Sequence, residues 1–158
     1  MKKVALFLGL VILVVSVVVA LANPVWKETE ISRFVPLPRN INIIPPSADL
    51  PKEIAAFSGR WEGIWDSREL KSVFVVEKID SKKAKIIYGW SSYGSVRADY
   101  VRDTMNIVLS DAKPKLESIT QHNIFSFEMC EDLKTIRGIR TSRQGLYSNS
   151  IIMKKVED

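Results

Sequence analysis

From Gly59 onward the chain is a succession of short runs rich in Val, Ile, Phe, Tyr and Trp, each ended by a few polar residues. The candidate strands are residues 61–65, 70–79, 84–90, 96–102, 104–109, 116–120, 124–129, 133–140 and 147–156. No helix-period segment long enough for a crossover interrupts them. Runs joined by short polar turns, such as residues 80–83, must therefore lie antiparallel. The expected fold is all-β: an antiparallel, closed barrel of about eight strands.

The most specific pattern lies in the first strand. Side chains alternate along a strand, so Gly59, Trp61, Gly63 and Trp65 share one face, while Arg60, Glu62, Ile64 and Asp66 share the other. Large rings alternating with glycines suit a tightly curved sheet, where the missing side chains make room for the indoles. In the third run Ala84, Ile86, Tyr88 and Trp90 share a face. Together these faces would form an aromatic-lined interior. Trp61, Trp65, Tyr88 and Trp90 are its candidate ligand-binding residues, with Gly59 and Gly63 structural. The rival reading is that the aromatics fill the core themselves, as side chains do in most small barrels.

A short helix followed by Phe57-x-Gly59-x-Trp61 at the opening of the first strand resembles the entry motif of the calycin superfamily, which includes lipocalins, fatty-acid-binding proteins and avidins. The resemblance implies an antiparallel barrel with Trp61 closing one end and an arginine from near the last strand packed across its ring. Arg140 and Arg143 stand in the right part of the chain for that role. It bears more on the barrel than on ligand carriage, because one fold hosts many functions.

Ahead of the barrel, Met1-Lys2-Lys3 precedes an uncharged run, residues 4–22, that ends Ala20-Leu21-Ala22. A positive start, an apolar run and a small-x-small ending are the parts of a secretory signal peptide. The run also approaches the roughly 20 residues of a membrane-spanning helix. Residues 1–22 are thus an N-terminal apolar helix, either a cleaved signal peptide or an anchor in the membrane. Both place residues 23–158 beyond the cytoplasmic membrane: periplasmic, secreted or membrane-anchored. Six of the seven prolines fall between Asn23 and Pro51, so residues 23–50 read as an extended Pro-rich linker. It is either a spacer lifting the domain off the membrane or a segment that Ile41, Ile43 and Ile44 pack onto it. Residues 47–57 suit a short helix, with Asp49 as its cap and Pro51 in its first turn. The barrel domain takes residues 51–158.

Lys2 and Lys3 supply two of the net charges in the formal +5, leaving a mixed, mildly basic exported part and no nucleic-acid stripe. Cys130 is the only cysteine, which rules out an intramolecular disulfide; its apolar surroundings in sequence point to a buried, inert thiol. His122, the only histidine, sits in a polar turn, so no metal or cofactor is expected. Gly89-Trp90-Ser91-Ser92-Tyr93-Gly94 is one residue too long for a nucleophile elbow and reads as a turn. No catalytic residue and no enzyme are expected. The leading function is a binding module for a small apolar or amphipathic ligand. The alternatives are an envelope module contacting another component through Tyr93, Tyr100 and Tyr147, and a hydrolase with an unrecognised acid pair.

Overall fold

The computed structural model describes residues 28–157 apart from positions 68 and 112, so the expected leader or anchor and the first residues of the linker lie outside the described residues. The strands are β1 (Gly59–Trp65), β2 (Lys71–Ile79), β3 (Lys83–Trp90), β4 (Asp99–Ser110), β5 (Lys113–Ile119), β6 (Asn123–Met129), β7 (Thr135–Ser142) and β8 (Ser148–Val156). Each pairs antiparallel with the next, and β1 also pairs with β8, closing the barrel. The all-β closed barrel expected from the run spacing is what forms. One run boundary differs. The separate runs expected at 96–102 and 104–109 are the single strand β4, in which Asp103 stays in the ladder opposite Ile86. A charged residue inside a strand reads as a break because charges seldom face a barrel interior.

One end of the barrel is closed by α1 (Lys52–Ala55), from which Ile54 joins the core together with Phe57, Trp61 and Met153. The helix begins later than residues 47–57 implied. Pro51 occupies the cap position, and Asp49 accepts the Ser47 hydroxyl instead of capping the helix. Trp61 is fully buried, and its Nε1 donates to the Phe57 carbonyl at 2.8 Å. The cation against its ring is Lys155, not Arg140 or Arg143: the Nζ stands 5.2 Å from the ring centroid and donates to the Ala56 carbonyl at 2.9 Å. Lys155 is near the end of β8, where strand alternation turns it inward beneath the helix. Both arginines belong to the opposite end.

The segment before the helix is not a free spacer over its described part. β2 reads Val73-Phe74-Val75-Val76, apolar on both faces, so closing the barrel buries only half of it. Val73 and Val75, with Ile87 of β3, are covered on the outside by Val35 and Ile41. Position 89 must lack a side chain there, since a Cβ would lie 2.7 Å from Val35. The Ile44 amide donates to the Glu77 carbonyl at 2.8 Å, pinning the strap to β2. Beside it, Arg60 and Glu62 form a buried ion pair on the outer face of β1, and the Thr29 hydroxyl donates to Glu62. On β3 and β4 the outer face exposes Lys83, Lys85, Thr104 and Asn106, while Ile64 of β1, Ile139 of β7 and Ile152 of β8 are exposed on the outside as well.

Two outcomes follow from the packing. Trp61→Ala should destabilise the domain by about 3–5 kcal/mol in denaturant melts, as a large buried aromatic truncation does. Gly63 faces the β1–β8 seam, where a Cβ would meet the Ile152 carbonyl oxygen at 2.4 Å. Gly63→Ala should therefore cost about 1–3 kcal/mol through forced strand separation, read as a lower melting midpoint.

Candidate functional site

The inward side chains change size along the barrel. At the helix end Trp61, Leu116, Met129, Ile136 and Met153 are buried against one another. Toward the other end, the mouth, the inward residues are Val101 and Asp103 of β4, Ser118 of β5 and Thr120 just past it, too short to reach across. They leave a cavity of about 260 Å³. Its floor is Phe74 stacked on Phe127, ring centroids 4.7 Å apart, with Ile86 and Met105 beside them. Tyr88, Trp90 and Phe125 make an aromatic wall, and Asp103, Ser118, Thr120 and Asn123 a polar rim. Gly138 permits the floor, because a Cβ there would come within 2.6 Å of the Phe127 ring. The cavity grades from aromatic at depth to polar where it meets solvent.

Two polar networks border it. The Tyr88 hydroxyl accepts from Trp65 Nε1 at 2.7 Å and lies 3.0 Å from the Ser72 hydroxyl. Burial pushes the Tyr88 phenol above its ordinary value, because the phenolate would lose its hydration. At the mouth, Arg140 projects inward from β7, its guanidinium 5.8 Å from the Phe125 ring and 5.3 Å from that of Tyr147. It donates to the Tyr147 hydroxyl at 3.0 Å, which in turn donates to Asn123 Oδ1 at 2.6 Å on the rim. Arg140 Nε is buried with no hydrogen-bond partner among the described residues.

The four aromatics expected to share an interior are divided between two environments. Tyr88 and Trp90 line the cavity; Trp65 supports Tyr88 from behind, and Trp61 belongs to the packed half. Gly59, at φ +116°, lies against Lys155, and Gly63 lies against β8, so neither opens space for a ligand. Arg140 reaches the mouth, while Arg143 is exposed in the turn before β8, its amide donating to the His122 carbonyl at 2.9 Å. Cys130 is half-buried, because it falls just past the end of β6 and not within it. Sequence reasoning missed Phe74, Phe125, Phe127, Asp103 and Ser118. The spacing Phe125-x-Phe127 was the available signal for part of the wall and part of the floor, since both rings must share one face of their strand.

No family model matches the chain, and no curated protein matches it either. The closed antiparallel eight-stranded barrel is compatible with the calycin resemblance of the Phe57-x-Gly59-x-Trp61 motif.

Tyr88→Phe strips Trp65 Nε1 and Ser72 of their shared partner and should cost about 1–3 kcal/mol at neutral pH. The raised Tyr88 value adds a pH signature. The unfolded phenol ionises near pH 10 while the native one stays protonated, so wild-type stability should fall as pH climbs from about 10 through the higher native value. Denaturant melts across that window should show a shallower loss for Tyr88→Phe; equal slopes would mean the native hydroxyl is not held protonated by burial.

Proposed function

We propose that the barrel is a non-enzymatic, calycin-like binding module that holds one small apolar or amphipathic molecule in the mouth-end cavity. The observation that carries this reading is the mouth-end cavity, floored by aromatic rings and rimmed by polar groups. Eight-stranded barrels either fill themselves or leave room for one small ligand. Ligand sites are mostly apolar clefts with a few placed polar groups, and a volume of about 260 Å³ suits a molecule smaller than drug size. The apolar part of the ligand lies on Phe74 and Phe127. Its polar end takes the Asn123 side chain and the Ser118 and Thr120 hydroxyls at the rim. Of the described residues lining the cavity only Asp103 carries a carboxylate, which leaves a hydrolase's acid pair without a place there.

The test is a titration of the purified chain with a small apolar fluorophore or a short fatty acid, following tryptophan emission. Trp90 at the wall should be quenched, with a dissociation constant in the micromolar range, about −8 kcal/mol. Ser118→Phe, which projects a ring into the hollow, should weaken binding at least roughly tenfold while leaving the melting midpoint within about 1 kcal/mol of wild type. Equal binding by the wild type and a folded Ser118→Phe would place the ligand elsewhere.

A further inference from the structure

The two ends of the barrel expose different chemistry. At the helix end the exposed turn residues are polar or charged, Asp80, Lys82, Asp111, Glu131 and Asp132, beside Leu109 near the end of β4, which is 69% exposed. At the mouth they include large apolar and aromatic side chains: Leu146 is 76% exposed, Ile119 66%, Tyr93 44% and Tyr147 41%. These belong to three different hairpins that surround the cavity opening. A single exposed apolar side chain is ordinary, but a ring of them at one end of a molecule marks a contact surface. Leucine, isoleucine and tyrosine at loop tips suit the boundary between lipid headgroups and acyl chains, where tyrosine keeps its hydroxyl wet.

The chain names the occupant through its own length. Read as the uncleaved anchor, the uncharged run at residues 4–22 is long enough to enter a bilayer, and residues 23–27 alone separate it from Glu28. Five extended residues reach at most about 17 Å. Thr29 is already fastened to Glu62 halfway along β1, a strand of seven residues that spans only about 23 Å. A tether that short cannot hold the barrel away from the membrane but can bring either end against it, and the chemistry of the turns selects the mouth.

We propose that the barrel docks mouth-down on a lipid surface, with the tips of the hairpins carrying Tyr93, Ile119 and Leu146 in the headgroup boundary. The mouth also carries Asp66, Glu69 and Asp99 among Lys71, Arg97 and Arg143, so its charge is mixed. Docking therefore works by apolar insertion and needs neither anionic lipid nor low salt. The proposal stands apart from the ligand reading, because filling the cavity leaves the hairpin tips unchanged.

The full chain, carrying Cys130→Ser and one added cysteine, tests this after reconstitution into phosphatidylcholine vesicles. An environment-sensitive fluorophore is placed at Leu146→Cys or Ile119→Cys on the mouth, or at Ser81→Cys on the helix end. The two mouth labels should emit at shorter wavelength and be quenched several-fold by lipids with brominated tails, at low and high salt alike. The Ser81 label should stay water-like. The proposal falls if the mouth labels are as water-like as the Ser81 label, or if both ends are quenched equally. It falls as well if the mouth labels shift without lipid as protein concentration rises, which would make the surface a contact between copies of the chain.

Discussion

The structure depends on β1 serving two partners at once. It pairs with β2 along one side and with β8 along the other, and the second pairing brings the Ile152 carbonyl oxygen to where a side chain at position 63 would stand. Glycine there lets the backbones approach to ladder distance, so the sheet closes and no strand edge is left to pair with another chain. Closure also creates an inside of nearly fixed width, since strand number sets barrel diameter. From then on, the size of each inward side chain decides whether a given level of the barrel is solid or hollow.

At the helix end the inward side chains are large and the level is solid. Trp61 and Lys155 hold it by satisfying the carbonyls of Phe57 and Ala56, which would otherwise be unpaired where the helix ends. The cation against the indole is thus a lysine whose stem lies along Gly59, with burial holding its ammonium below the usual value. An arginine in the same part of the chain, Arg140, instead faces the mouth, because fifteen residues and a hairpin reverse the direction of travel between the two positions. At the mouth the inward residues of β4 and β5 are short, and the level is hollow.

The outside carries the consequence of an over-apolar strand. Closing the barrel satisfies Phe74 and Val76 but leaves Val73 and Val75 facing out, and the strap of residues 28–50 covers them. Prolines suit such a cover, because an extended segment with few internal hydrogen bonds can lie along a sheet without competing for its ladder. The strap ties the start of the barrel domain to its flank.

The fold class was legible in the sequence, because period-two alternation and short polar turns are local properties that survive without knowledge of the partner strands. The burial of Trp61 and the inward faces of β1 and β3 were legible for the same reason. The cavity was not. It exists because the short inward side chains of Asp103 on β4, Ser118 on β5 and Thr120 just past it lie between Tyr88 of β3 and Phe125 of β6, and which side chains flank one another inside is set by register and closure. Asp103 shows the difference most plainly: alone in the sequence it reads as a turn, and only in the closed sheet does it become an inward rim residue. The cation on Trp61 was expected to be Arg140 or Arg143 and is Lys155; all three are late in the chain, and only strand direction says which reaches the helix end. Sequence by itself determined the strands, their alternation and the leader-like run, all carried by neighbours in the chain. Only the tertiary structure decided where the barrel is hollow and which end carries the apolar tips, because those depend on residues brought together across it.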